Sequence, residues 1–449
     1  MIQKFFLTVF LFVFGAINAQ AQGPNITSWL QNTTGITGRH YVAGNSTPIV
    51  DATLANIQTV QYSTNWVYVS TNGIPAYITG PFLDGNPSIA QSQNAIFRMP
   101  LNPVQNTGTP TATTMGNIGI FVNGVAFFDH RDGVSWRNSS GSLAGGPLGG
   151  MGDNVWNRDA VVAERAGFDC AKGHPAMGNY HHHQNPSAFN LDLNVISNVC
   201  DLYAADGLYV LDSTAHAPLI GFAYDGFPVY GAFGFTNTNG TGGITRMKSG
   251  YQLRNITVRT HYANGTDVTD GPAVSATYPL GYFREDYEFV ASTDPDRLDE
   301  HNGRFCVTPE YPAGTYAYFC TVDENWNSAY PYIVGPTFYG TKVASRFYSV
   351  TEPTTIYTPS TTGLTNLVTD EASISIYPNP ASDVVAVQLK SFLNADCPVV
   401  LFDAQGRIVE RRILPQGSTI AYFDTRRLYA GECLVLIGNV SRRVVLVKD

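Results

Sequence analysis

Three consecutive histidines, His181 to His183, stand out in a chain that contains nine histidines in all. In an extended strand, side chains alternate between two faces, so His181 and His183 would share one face and His182 would take the other. His174 precedes this run across the turn-prone residues 175–179 and could fold back beside the pair. Three imidazoles on one face can begin a tetrahedral site for zinc or copper. The spacing therefore predicts a metal site on His174, His181 and His183, with packing or hydrogen bonding as the alternative.

Two later segments supply further candidate site residues. His216 opens the segment HAPLIGFAYDGFPVYG and is a candidate fourth metal ligand. Asp225, in the D-G-x-P turn of that segment, could act as a catalytic base or simply cap the turn. Arg304, in the run NGR, could clamp an anionic substrate or bridge carboxylates such as Asp299, and the structural role is favoured. Two other histidines have weaker support as ligands: His130 and His301.

The first 21 residues are typical of a secretory signal peptide. Lys4 precedes an apolar run over residues 5–17, and Ala19-Gln20-Ala21 is a small-x-small cleavage site. A membrane anchor is the alternative, but the apolar run is shorter than the ~20 residues that a span needs. No later segment is apolar for long enough, so we expect no transmembrane span in the mature chain.

Six cysteines in an exported chain indicate disulfides, because export leads to an oxidising compartment. Their order suggests three pairs: Cys170 with Cys200, Cys306 with Cys320, and Cys397 with Cys433. The middle pair has the best geometric support, because two predicted strands around a turn at 311–314 would bring its members opposite each other. A free Cys170 thiolate close to His174 could instead bind the metal, but a disulfide is favoured.

Strand signals dominate the rest of the chain and predict a mainly β protein. Residues 59–72 carry alternating β-branched and aromatic residues, and residues 117–130 resemble two short strands around an Asn123-Gly124 turn. Helices are predicted at 154–166 and, more weakly, at 195–204. Charged residues make up 14% of the chain, the net charge is -9 and no basic stripe is present. This charge pattern argues against a nucleic-acid partner.

Composition divides the chain after the signal peptide into four parts. Residues 22–48 form an N-terminal lead-in, and residues 49–340 form a large β-rich domain that contains all the candidate site residues. Residues 350–369 are rich in Thr, Pro and Ser and are predicted to be a linker. Residues 374–449 contain short strands separated by turns and are predicted to form a small all-β sandwich.

The motifs of this C-terminal segment resemble the C-terminal sorting domain of the type IX secretion system. They are YPNPASD, LFDAQGRIV, DTRRLYAGECLVLI and a final VVLVKD. The resemblance implies an all-β delivery signal that the type IX machinery recognises. It also implies export through the periplasm and across the outer membrane, usually with cleavage of the signal, followed by release or anchoring at the cell surface. A generic β-sandwich that binds a partner is the alternative.

The central segment resembles the YHYH family. The similar motifs are GHP at 173–175, YHHH at 180–183, the segment 216–231, NGR at 302–304, the stretch 308–319 and IGIFVNGVAFFD at 118–129. His182 stands where the family's name has a second tyrosine. The resemblance implies a domain of this type and no reaction, because the family as a whole has no established activity.

Three functions stay open on this sequence. The first is a metal-dependent hydrolase or oxidoreductase in which the histidines hold zinc or copper and Asp225 acts as the base. The second is a non-catalytic cell-surface protein whose histidines close the shell around the metal. The third is a surface module for glycans or matrix, suggested by the 12% aromatic content, although most aromatic residues are expected in the core.

Overall fold

Antiparallel β-strands build most of the protein. The computed structural model describes residues 22–359 and 374–448, apart from residues 34, 86–87, 188–202, 204–206, 210, 344, 348, 390–396, 404–406, 415–419 and 438–439. The described residues fall into two compact units, divided between Tyr357 and Thr358. The predicted signal peptide and nearly all of the second predicted helix lie outside the described residues.

Helices are short and few in the described residues. The two α-helices are α1 Pro24–Thr27 and α2 Ala160–Glu164. Short 3-10 helices span Asn138–Ser140, Gly146–Leu148, Arg165–Gly167 and Arg284–Asp286. No helix of the described chain is both long and apolar enough to cross a membrane.

The strands of the first unit follow in chain order. They are β1 Thr37–Val42, β2 Asn45–Leu54, β3 Ile57–Tyr62, β4 Trp66–Thr71, β5 Ile78–Thr79, β6 Ala95–Pro100, β7 Thr111–Ala112, β8 Asn117–Phe121, β9 Ala126–Phe128, β10 Arg131–Arg137, β11 Ser142–Gly145, β12 Asn157–Asp159, β13 His174–Ala176, β14 Asn179–His182, β15 Leu219–Ala223, β16 Pro228–Tyr230, β17 Phe233–Phe235, β18 Ile244–Arg246, β19 Tyr251–Leu253, β20 Tyr287–Phe289, β21 Gly303–Cys306, β22 Thr315–Phe319, β23 Thr337–Phe338, β24 Ser345–Phe347 and β25 Thr355–Tyr357.

Two larger sheets organise this unit. Within the described residues, one sheet has eight strands in the order β13-β14-β9-β8-β15-β16-β22-β21, and the other has five in the order β24-β6-β4-β3-β25. One apolar core contains side chains from both sheets, including Val69 and Phe97 of the smaller sheet and Ile120 and Val229 of the larger. Strands β15 and β16 in the middle of the eight-stranded sheet are buried along their whole length, so both faces of this part of the sheet are covered.

The β13–β14 hairpin lies at one edge of the eight-stranded sheet. Its turn residues Met177 and Gly178 have φ values of 49° and 83°, as a type I′ turn requires at both central positions. The register that follows from this turn places His174 directly opposite His181. The hairpin therefore folds His174 back beside His181, as the sequence predicted.

The second unit is an all-β sandwich. Its strands are β26 Ile374–Tyr377, β27 Val384–Leu389, β28 Cys397–Phe402, β29 Ile408–Leu414, β30 Ile420–Asp424, β31 Gly431–Ile437 and β32 Val440–Leu446. They form a sheet in the order β26-β27-β30 and a second in the order β29-β28-β31-β32, as far as the described residues show. An apolar core of its own lies between them, with Val385, Leu401, Phe423 and Val444 among its buried members. The predicted small sandwich is confirmed.

The two predicted strand segments are confirmed, whereas the predicted helix and linker differ in the structure. Residues 59–72 form a hairpin of β3 and β4, and residues 117–130 form β8 and β9 around the Asn123-Gly124 turn. The helix predicted over 154–166 is shorter in the structure, because its first part pairs with β10 as strand β12. Strand β25 lies inside the predicted linker and pairs with β3, and residues 360–369 are outside the described part.

Two of the three suggested disulfides are wrong. Cys306, Cys320, Cys397 and Cys433 are free, buried thiols. The predicted 311–314 turn is present, but β21 ends at Cys306 and β22 begins at Thr315, so the register places Cys306 opposite Thr315. The register of β28 with β31 pairs Val399 with Ile437, so the cysteines of those strands lie at opposite ends of the pairing. Cys200 lies outside the described residues, so its pairing with Cys170 stays a prediction.

Candidate metal centre

Three buried histidines converge where β13 and β14 meet. The side chains of His174, His181 and His183 each offer a nitrogen, and these nitrogens all lie within 4.8 Å of one another. The Nε2 atoms of His181 and His183 are 3.1 Å apart. His182 points to the other face, where its Nε2 forms a 2.7 Å hydrogen bond with the Tyr77 hydroxyl. The alternation predicted from the sequence is therefore present in the structure.

The outer nitrogens of two of these histidines are engaged by backbone carbonyls. His181 Nδ1 lies 2.9 Å from the carbonyl oxygen of Asn179, and His183 Nδ1 lies 2.6 Å from that of Asp129. A carbonyl only accepts, so each Nδ1 carries a proton, and the neutral His181 ring turns its Nε2 lone pair towards His183 Nε2. Two lone pairs at 3.1 Å repel unless a proton or a cation lies between them. Outer hydrogen bonds of this kind also orient metal-ligating histidines.

Glu164 adds a carboxylate to the three histidines. Its Oε2 lies 3.3 Å from His174 Nε2 and 3.2 Å from His183 Nε2. Neither Oε2 nor His174 Nε2 has a hydrogen-bond partner of good geometry in the described part of the chain. Glu164 is the last residue of α2, whose N-cap Asp159 accepts a hydrogen bond from Val162 N. Glu164 was not predicted as a ligand, although it lies within the helix predicted over 154–166.

Burial and mutual contact shift the titration of the cluster. Burial would raise the pKa of Glu164, but the imidazoles of His174 and His183 beside its Oε2 hold it well below its usual range. Burial lowers the pKa of His181 strongly, and the neighbouring His174 and His183 lower it further. Burial would also lower the pKa of His183, but Glu164 beside it makes the net shift upward. The carboxylate is therefore ionised and His181 is neutral, which are the states that bind a metal ion.

Aromatic rings hold the cluster from outside. Phe128 stacks on His181, with ring centroids 3.7 Å apart and planes at 16°. Phe168 meets His174 edge-on at 4.9 Å. These contacts fix ring orientations that hydrogen bonds alone would leave free to tilt, so the donor atoms are positioned before any ligand binds.

Comparison with known families matches two parts of the chain. Residues 96–331, which are more than half of the sequence, match the family described as YHYH protein. The chain belongs to the YHYH protein family. The matched residues include all three clustered histidines and Glu164. Residues 375–447 match the family described as secretion system C-terminal sorting domain, and no curated protein matches the chain.

The sorting domain establishes where this YHYH protein goes. Chains with this domain are recognised by the type IX secretion system, and the protein is exported and then secreted or attached to the cell surface. The sandwich fold of the second unit agrees with an all-β delivery signal. This assignment concerns delivery and leaves the chemistry to the YHYH unit.

His216 does not belong to the histidine group of the YHYH unit. Its ring packs against Tyr230, Phe235 and Phe319, at centroid distances of 5.1, 4.9 and 6.1 Å. Its Nδ1 forms a 2.8 Å hydrogen bond with the carbonyl of Ala217. Burial lowers the pKa of His216 to about 4, and the nearby guanidinium of Arg304 lowers it too. The structure thus gives His216 an aromatic environment in place of the predicted ligand position.

Asp225 and Arg304 make structural contacts. The buried Asp225 carboxylate accepts hydrogen bonds from the Tyr318 hydroxyl at 2.6 Å, from Gly340 N at 2.8 Å and from Phe227 N at 3.3 Å. Burial raises its pKa to about 6, against the effect of these hydrogen bonds. Arg304 donates to three backbone carbonyls, those of Phe235, Thr236 and Pro295. Neither residue belongs to the metal-ligating group found in the described chain.

The two weaker histidine candidates also lie outside the group. His130 packs edge-on against Tyr330 at 5.2 Å, and its ring nitrogens have no hydrogen-bond partner in the described chain. Burial lowers its pKa to about 3. His301 Nδ1 lies 2.8 Å from the Thr337 hydroxyl. A second metal group that includes either histidine is not found among the described residues.

Proposed function

We propose that this exported YHYH protein binds a zinc or copper ion on His174, His181 and His183, with Glu164 as the fourth ligand. The observation that carries the proposal is the 3.1 Å separation of two inward-facing Nε2 atoms whose rings already donate through Nδ1. A proton shared by His181 and His183 removes the repulsion between their two Nε2 lone pairs only. A metal ion relieves it for all three histidines and for the carboxylate together.

Three of the six separations between the proposed donor atoms match those around a tetrahedral ion. Zinc ligands lie at about 2.0–2.1 Å from the metal, so the corners of the tetrahedron are about 3.3 Å apart. The three donor separations known for this site are 3.1, 3.2 and 3.3 Å. Three imidazoles and one carboxylate are suited to zinc and to copper(II), whereas calcium and magnesium prefer oxygen ligands.

A second candidate function is a metal-dependent hydrolase. The Glu164 side chain is 20% exposed, whereas those of His174 and His183 are 8% and 3% exposed. Solvent therefore reaches the site from the side of Glu164. A bound ion supplies Lewis acidity to such a site. Glu164 could then stay uncoordinated and accept a proton at Oε2. With Glu164 as a permanent ligand, the shell is closed and the protein is a metal binder.

Metal content tests the proposal directly. The full exported chain, purified without a histidine tag, is expected to contain close to one equivalent of zinc or copper by elemental mass spectrometry. The His181→Ala/His183→Ala variant should lose it. His261→Ala is the matched control, because the His261 side chain is 50% exposed and pairs with Asp267 away from the cluster. A wild-type protein that stays metal-free after reconstitution, with a variant that is merely less stable, would return the histidines to a packing role.

Glu164→Gln separates the two candidate functions. If Glu164 is a ligand, loss of its charge should weaken metal affinity by tenfold or more, the range known for disturbed metal environments. If Glu164 is a base, metal affinity should stay within about threefold and hydrolysis in an ester or peptide screen should fall. Competition with a chromogenic chelator measures the affinity, and the wild-type rate in the same screen is the reference.

A further inference from the structure

A polar cavity of about 370 Å³ opens in the first unit. Its wall includes Arg131, Arg284, Tyr287, Tyr330 and Asn157. The volume is within the range of about 300–1,000 Å³ that small-molecule sites occupy. None of its lining residues is a member of the candidate metal centre, so the cavity is a separate site.

Two arginines of this wall are held in place and still have free donors. Arg131 uses Nε and Nη2 on the Asp129 carboxylate, at 2.6 and 3.1 Å, and Nη2 also on the Thr113 carbonyl. Arg284 uses Nε on Glu285 at 2.8 Å. Among the described residues, Nη1 of Arg131 and both terminal nitrogens of Arg284 have no partner. The side chains are 17% and 25% exposed, so these donors can reach a ligand.

The carboxylates beside the two arginines are already used. Glu285 accepts hydrogen bonds from Asn157 N at 2.7 Å and from Asn157 Nδ2 at 2.8 Å, in addition to its contact with Arg284. The Asp129 carboxylate is used by Arg131. The groups that stay available on Arg131 and Arg284 are therefore N–H donors. A donor-rich wall that carries two guanidinium groups selects an acceptor with negative charge.

Tyrosine rings form another part of the wall. Tyr287 and Tyr330 stack at 4.2 Å with planes at 9°, and Tyr251 meets Tyr330 edge-on at 5.3 Å. The Tyr251 hydroxyl donates to the Glu300 carbonyl, whereas those of Tyr287 and Tyr330 have no partner in the described part of the chain. Amphipathic rings of this kind pack against the face of a ring-shaped ligand and hydrogen-bond to its substituents.

We infer that this cavity binds a small ring-shaped molecule that carries a carboxylate or sulfate group, such as an acidic sugar. The anionic group lies between Arg131 and Arg284, and the ring lies against the tyrosines. Export to the cell exterior gives the site access to such molecules. The inference does not depend on the metal centre, because it uses no metal ligand.

Calorimetric titration of the full chain with three probes tests the inference. Glucuronic acid and glucose 6-sulfate supply the two anionic groups, and glucose is the neutral reference. At least one acid should bind about tenfold more tightly than glucose or better, since hydrogen bonds to charged groups are worth about 1.5–3 kcal/mol. The stronger acid identifies the preferred anion. Equal binding of acids and glucose, or no binding of any probe to the folded protein, overturns the inference.

Arg284→Gln locates the site. Affinity for the stronger acid should fall at least about tenfold, and Tyr330→Phe should reduce it less. Arg137→Gln is the matched control, because Arg137 lies on the same strand as Arg131, outside the cavity, and bonds to Ser140. Arg284→Lys is the second variant if the glutamine variant is unstable, since it keeps the charge and loses the planar fork. An unchanged affinity of folded Arg284→Gln for the stronger acid would contradict this location of the site. Loss of binding when a chelator removes metal from the wild-type protein would contradict it as well.

Discussion

At the scale of single residues, the candidate metal centre combines three histidines of residues 174–183 with a carboxylate from the end of α2. Alternation in a strand places His181 and His183 together, and a short turn returns His174 to them. Glu164 precedes His174 by only ten residues, but the packing of α2 against the hairpin, which the sequence does not reveal, brings its carboxylate there. His216 illustrates the converse, because a histidine in a distinctive motif can simply fill an aromatic environment.

Asp225 gives a pH prediction at this scale. Its pKa in the folded protein is raised from 3.8 to about 6 by burial, so between these values the folded state holds a proton that the unfolded state has released. Stability must then fall as pH rises through this window, by up to about 3 kcal/mol for a shift of this size. Asp225→Asn lacks this titration.

Urea unfolding at pH 4 and at pH 7 measures the effect. The free energy of unfolding of Asp225→Asn, relative to that of wild type, should be higher at pH 7 than at pH 4. At pH 7 the wild type carries a buried ionised carboxylate, which the variant lacks. The asparagine keeps one oxygen acceptor for Tyr318, so the comparison isolates the charge. A stability difference between the two proteins that is the same at both pH values would contradict the raised pKa.

At the scale of elements, register decided what the sequence could predict. The β8–β9 turn was found because Asn-Gly is a strong turn signal. The disulfide between Cys306 and Cys320 was wrong because residues 307–314 all belong to the connection between β21 and β22, which pairs Cys306 with Thr315. The helix over 154–166 was predicted too long, since pairing of β12 with β10 wins over local helix propensity.

Gly178→Ala tests the hairpin that brings His174 to His181. Gly178 has φ +83°, and an added Cβ would lie 2.9 Å from Gln91 Cβ. We expect a loss of about 1–3 kcal/mol in stability from the strained conformation and a several-fold weaker metal affinity. Gly44→Ala is the matched control, because Gly44 has the same φ with nothing within 4 Å. Metal affinity that falls equally in both variants would refute a specific role for the hairpin turn.

At the scale of the whole molecule, the sorting domain and the histidine group belong to different units. The first unit contains the histidine group, the cavity and one apolar core, and the second contains a core of its own. The division between the units falls within the Thr-, Pro- and Ser-rich residues 350–369. The packing of the first unit was harder to predict, because its core draws residues from strands far apart in sequence.

Deletion of residues 374–449 should therefore separate export from metal binding. In a host with a type IX secretion system, the shortened chain should stay in the periplasm, because the sorting domain is missing. Its metal content and the thermal unfolding transition of the first unit should match those of the full chain, since the deleted core is separate. Cell fractionation and elemental analysis measure both. Fusion of residues 374–449 to an unrelated periplasmic protein is the reciprocal control and should direct it outward. Normal secretion of the shortened chain would mean that the delivery signal lies elsewhere, whereas loss of its metal would mean that the two units depend on each other for folding.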